Sequence, residues 1–142
     1  MEFTVLVGYD GKAPARAALD VALGLAGRLG GKVIITYLIQ GPPDPYVLAE
    51  ERFNGQHVTR GALMAAGNRG VDAEALITER PVVEGLISLA EERSADLLVV
   101  GDSRRSPLAG ALRGSVGQAL LHRTTVPLVM VPAAEARGRR AA

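Results

Sequence analysis

Apolar residues in this chain follow two alternating rhythms, short unbroken runs and longer stretches repeating every three to four positions. Phe3–Val7 is apolar and β-branched and is closed by Gly8-Tyr9-Asp10-Gly11, which predicts a first strand and its turn. From Pro14 to Leu29, residues Ala18, Ala22, Leu25 and Leu29 place one apolar stripe on a helix, with Pro14 suited to its first turn and Gly30-Gly31 to its stop. Lys32–Ile39 reads as a second, buried strand. The prolines of Gly41–Pro45 predict a loop, and Tyr46–Asn68 a helix weakened by Gly55 and Gly61. Asp72–Glu79 alternates as a third strand, and Pro81 opens a helix whose Val83, Ile87 and Ala90 share a face up to Arg93. Ala95–Val100 is a fourth strand ending at Gly101, Ser115–His122 a short helix, and Pro127–Val131 a fifth strand closed by Pro132.

Strands and helices alternating at this spacing imply right-handed crossovers and an α/β fold, an open parallel sheet with helices on both faces. Ligands of such sheets sit beyond the carboxyl ends of the strands where strand order reverses. That rule selects Asp10-Gly11-Lys12, Leu38-Ile39 and the segment from Gly101 to Ser115. No internal repeat, linker or second domain interrupts the pattern.

Composition narrows the function classes. The chain has 142 residues, 48% of them apolar and 22% charged, enough for one domain burying roughly 68–70% of its unfolded surface. Its net charge is +1. Arg137, Arg139 and Arg140 against Glu135 give the tail from Ala133 to Ala142 +2, so the body is slightly acidic. No global basic field recruits nucleic acid or an anionic membrane, and the basic tail reads as disordered. Absence of cysteine removes disulfides, thiolate metal sites and cysteine nucleophiles and suits a reducing, cytoplasmic setting. No signal peptide or membrane-length apolar run is visible.

Familiar catalytic and phosphate motifs are missing. Gly11-Lys12 is followed by Ala13, and Leu6 stands where a P-loop has its first glycine; the first turn also lacks Gly-x-Gly-x-x-Gly. Of the acids and lysine a receiver domain needs, only Asp10 is present. His57 and His122 are far apart, no group has metal-ligand spacing, and no serine has triad partners. His122 fits the dipole at the end of its helix. An ATP-cleaving or adenylyl-transferring enzyme would need a general base or an acid cluster that is not visible.

Two segments carry candidate binding chemistry. Gly101 lets backbone approach a ligand, and Gly114-Ser115 opens a helix whose free amides suit a phosphate, with Val116 following in its first turn. Ser115-Val116-Gly117-Gln118 is equally a capping box, worth about 0.5–2 kcal/mol to the helix. Asp10 reads as an acceptor for a ligand amino or hydroxyl group, or as a turn and helix-capping residue.

Val5–Gly11, Glu84–Gly101 and Gly114–Leu121 followed by Val126–Pro132 together resemble the universal stress protein family over nearly the whole chain, residues 1–132. The resemblance implies a five-stranded sheet in the order 3-2-1-4-5, of the adenine nucleotide alpha-hydrolase-like type, and a cytoplasmic homodimer. It also implies a stress-response role with ATP or another adenine nucleotide, with or without Mg, bound as a regulatory ligand and hydrolysed slowly if at all. Asp10 would be the polar anchor and Leu38 would lie near the base, while Lys12, Arg105 and Arg113 on neighbouring loops either add positive charge or are ordinary solvated surface charges, the latter reading fitting Arg105 and Arg113 better. The nucleotide-binding branch carries Gly-x2-Gly-x9-Gly-Ser/Thr; here Gly101, Gly114 and Ser115 match, while the second glycine position is Arg104. Arg104 either clamps the phosphate through its guanidinium or fills the phosphate site of a nucleotide-free dimeric interaction module. The fifth strand, Leu128, Val129, Met130 and Val131, would form an apolar sheet edge that a second copy covers.

Overall fold

The computed structural model describes residues 2–41, 44–102 and 115–132, with Ser115 described by its backbone alone. The strands are β1 (Thr4–Gly8), β2 (Lys32–Ile39), β3 (Asp72–Glu79), β4 (Leu97–Asp102) and β5 (Leu128–Pro132). Between them run α1 (Ala13–Leu29), α2 (Pro45–Asn68), α3 (Val82–Glu92) and α4 (Ser115–Arg123). The strands form one parallel sheet in the order β3-β2-β1-β4-β5.

Side chains alternate across the sheet, and the two sets build two cores. Val5, Val7, Val33, Ile35, Val99 and Val131 face α1 and α2. Leu6, Ile34, Leu98 and Val100 face Leu86 and Leu89 of α3 and Leu120 of α4. Because both faces are covered, the three central strands are largely apolar, and β1 is buried from Thr4 to Val7, β2 from Val33 to Tyr37 and again at Ile39, and β4 from Leu98 to Val100.

The helix faces differ from their sequence readings. In α1, Ala18 and Ala22 are buried, but Leu25 is half-exposed and Leu29 is 57% exposed. The core contacts come instead from Ala15, Leu19, Leu23 and Ala26. A helix touching β1, β2, β4 and β5 at once needs a broad small-residue face rather than a single stripe. In α3, Ala90 is buried as expected, but Val83 and Ile87 are half-buried, and Gly85, Leu86 and Leu89 take the interior positions. Packing against both the sheet and α4 rotates its buried face by about one residue.

Helix α2 begins at Pro45, inside the stretch read as loop. Asp44 is its N-cap, its Oδ1 accepting from the amides of Tyr46 at 2.9 Å and Val47 at 3.0 Å. Proline at the first helical position lacks only an N–H that would have no intrahelical partner, so Asp-Pro here starts a helix.

The fifth strand is indeed a sheet edge, with Leu128, Val129 and Met130 half-buried and Val131 interior. Among the described residues no helix is long and apolar enough to cross a membrane.

Candidate functional site

β1 has neighbours on both sides, and the chain leaves it in opposite directions towards β2 and, much later, β4. Its carboxyl end is therefore the place where strand order reverses. A cavity of about 360 Å³ opens there, lined by Gly8, Tyr9, Asp10 and Lys12 after β1, Tyr37 and Leu38 of β2, Glu51 and Asn54 of α2, and Val82 and Leu86 of α3.

The floor is set by the strand ends. Gly8 pairs in register with Thr36, and a Cβ on Gly8 would touch Leu86 at 3.4 Å. The Tyr9 amide donates to the Thr36 carbonyl at 2.8 Å, carrying the β1 ladder one residue into the cleft. Beneath it the Thr36 hydroxyl is buried with no hydrogen-bond partner among the described residues. Leu38, two positions on, is half-buried against α3, with its methyls 3.1 and 3.3 Å from where a Gly85 Cβ would stand.

Asp10 sits on the rim. Its Oδ1 accepts from the Lys12 amide at 2.9 Å, closing an Asx-turn around Gly11, whose φ is +82°. The N-cap of α1 is Lys12 and carries no side-chain cap, so Asp10 shapes the turn and does not cap the helix. The turn holds one carboxylate oxygen and leaves the group at the mouth of the cleft. Arg16 steadies the same turn, its Nη1 donating to the Gly11 carbonyl at 2.6 Å.

Helix α2 supplies a polar wall that the sequence reading did not include. Tyr37 is 6% exposed and lies under Gly55, where any Cβ would stand 2.8 Å from its ring. Its hydroxyl donates to Glu51 Oε2 at 3.0 Å and accepts from Asn54 Nδ2 at 2.8 Å. Burial pushes the Tyr37 phenol above its ordinary value; the Asn54 hydrogen bond opposes this and the Glu51 carboxylate adds to it. The Tyr9 phenol is likewise raised by burial, with Arg16 opposing. Both are neutral hydrogen-bonding groups at ordinary pH. One signal for this wall was present: a helix glycine with Glu51 and Asn54 just before it, three apart and so on one face.

Of the expected site residues, Asp10 and Leu38 meet in this cavity, and Lys12 joins them. Gly101 is absent from the lining, and the structure gives it a packing reason. A Cβ there would fall 2.3 Å from the Pro14 carbonyl, so only glycine lets α1 begin this close to β4. Val116 is half-buried and packs against the core beneath α3 and α4. Arg104, Arg105, Arg113 and Gly114 lie outside the described residues, as do the Ser115 side chain of the capping box and the tail from Ala133. His122 lies in the exposed last turn of α4, one residue before its end at Arg123. Among the described residues no three His, Cys, Asp or Glu side chains gather as a metal site.

Comparison with known proteins agrees with this architecture. The pattern of the universal stress protein family matches residues 1–132. A universal stress protein of Mycobacterium tuberculosis strain H37Rv is 33% identical over 138 residues, spanning 90% of this chain and 94% of its own length. A crystal structure of a universal stress protein in complex with cAMP superposes with a TM-score of 0.71 and 32% identity, over 91% of this chain and 95% of that one. A universal stress protein family member from Burkholderia pseudomallei gives a TM-score of 0.76 at 31% identity, over 92% and 96% of the two chains.

Proposed function

Because the chain belongs to the universal stress protein family, we propose that its cleft binds an adenine nucleotide as a regulatory ligand, with no dedicated catalysis. The observation that carries this reading is the meeting of Asp10 and Leu38, from separate strand ends, in one cavity at the reversal of strand order. The cavity's 360 Å³ is near the lower end of the roughly 300–1,000 Å³ of small-molecule sites. That suits a nucleoside end, with phosphates extending towards the Gly101–Ser115 segment. The related protein solved with cAMP supports the ligand class.

In this reading Leu38, Val82 and Leu86 offer apolar contact to the base, and Asp10 accepts a hydrogen bond from the ligand. Backbone amides of Gly114, Ser115 and Val116 donate to the phosphates, and Arg104 contributes a guanidinium. Any Mg2+ accompanies the nucleotide's own phosphates and water, since it commonly keeps several waters in its shell. Two copies pair through β5 (Leu128–Pro132), covering its half-buried edge, and the protein works in the cytoplasm.

Denaturing the purified protein and separating the released small molecules, then titrating ATP, AMP and cAMP into the emptied protein, tests the reading. We expect an adenine nucleotide in the extract and saturable heat on titration; the absence of both overturns the reading. Arg104→Gly then assigns the arginine, weakening binding if it clamps a phosphate and tightening binding if it fills the site.

A further inference from the structure

Beyond the strand ends, α2 presents Glu51 to the cavity from a position it cannot easily leave. One carboxylate oxygen accepts the Tyr37 hydroxyl, the Tyr37 ring is wedged beneath Gly55, and Asn54 donates to the same hydroxyl from the next turn. Among the described residues no cation pairs with Glu51. Among the described residues the cavity lining carries two carboxylates, Asp10 and Glu51, and one ammonium, that of Lys12. Lys12 adjoins Asp10 in the Asx-turn, while Glu51 stands on the helical wall.

The geometry points to Glu51 as a specificity-determining residue of this cleft: its fixed carboxylate accepts a hydrogen bond from a ligand hydroxyl or amino group and penalises each further negative charge that the ligand carries. This rests on the nucleotide-binding reading above. The Glu51 carboxylate's own contribution favours singly charged ligands, such as a cyclic monophosphate, over a triphosphate with about three more charges. Across roughly 10 Å in a water-like dielectric, three charges against one carboxylate amount to about a tenfold difference in affinity. The oxygen of Glu51 not engaged by Tyr37 remains an acceptor. Tyr37 and Asn54 act as positioning residues.

The test is calorimetric titration of cAMP, AMP and ATP into the full chain at low and high salt. The proteins compared are the wild type, Glu51→Gln, Tyr37→Phe and, as a control, Glu50→Gln. Glu50 is the exposed neighbouring acid, outside the cavity lining. Glu51→Gln should lower the Kd ratio of ATP to cAMP by about five- to tenfold, and Glu50→Gln by less than about twofold. Tyr37→Phe, which keeps the ring and frees the carboxylate, should move the ratio the same way by a smaller factor. High salt should bring the wild-type ratio towards that of Glu51→Gln. If the wild type binds these nucleotides but Glu51→Gln leaves the ratio unchanged, or moves it no more than Glu50→Gln, the assignment to Glu51 is wrong and the binding reading stands. If the wild type binds none of the three, both fall.

Discussion

Helices α1 and α2 cover the same face of the sheet, yet one is embedded and the other is attached. Helix α1 buries Ala15, Ala17, Ala18, Leu19, Ala22, Leu23 and Ala26, and its alanines and the bare Gly101 let its backbone lie close to the strands. Helix α2 is longer but buries only Gly55, Thr59, Ala62 and Ala66. Its N-terminal half leaves Tyr46 85% and Phe53 74% exposed while turning Glu51 and Asn54 to the cavity. A helix that forms a cavity wall gives up core contacts on the side that lines it. Burial and ligand chemistry thus compete for the same face, and here they are divided between the two halves of α2.

The largest expected effect breaks the α1 side. Gly101→Ala would put a methyl 2.3 Å from backbone that cannot swing aside, costing about 3 kcal/mol, at the upper end for overpacking; the urea midpoint measures it. Gly55→Ala is the matching change in α2, where the obstacle is the Tyr37 ring at 2.8 Å. Overpacking of about 1–3 kcal/mol is there partly offset by about 1 kcal/mol of helix propensity, so the net loss should be under about 2 kcal/mol. Gly61→Ala, with nothing within 4 Å of the new methyl, should stabilise by about 0.5–1 kcal/mol and raise the melting temperature.

Two pH responses sharpen the same contrast. The Tyr37 phenol between α2 and β2 is raised above 10.0 by burial. Its contribution is therefore complete below about pH 10 and is lost as pH rises through the higher folded value. Alkaline unfolding should begin there, and Tyr37→Phe should delay it, measured by circular dichroism against pH. The smallest effect belongs to the surface. Arg80 holds the Glu92 carboxyl below its ordinary 4.5 through a hydrogen bond at 2.8 Å. That contribution is present above pH 4.5 and fades as pH falls through the lowered value. Arg80→Ala should therefore cost a small amount of stability at neutral pH, as for an exposed ion pair, and progressively less as pH falls below 4.5, read from urea midpoints across that range.

Much of this architecture is legible in the sequence because its signals are local. Lys32–Ile39 and Asp72–Glu79 have the limits that an apolar run and an alternating one, each starting shortly after a glycine, indicate. Asp10 and Leu38 follow from the rule that ligands gather at strand ends. The roll of each helix is less legible, as Leu25, Val83 and Ile87 show, because a face several residues wide is centred by its neighbours and not by its own period. The Tyr37–Glu51–Asn54 wall is hidden for a related reason. Its partners lie on different elements, and their meeting depends on how deeply α2 settles at Gly55.

The central position of β1 also bears on the order in which the chain assembles during synthesis. Its partners are β2, close behind it in sequence, and β4, reached only near residue 97. The Asp96 carboxylate finally accepts from the Thr4 amide at 2.8 Å, across 92 residues. At roughly 5–20 residues per second, a nascent β1–α1–β2 unit would wait several seconds with one flank of Val5, Leu6 and Val7 unpaired. During that interval the innermost strand of the finished protein is an open edge, which makes the ribosome-bound chain the form most in need of a chaperone.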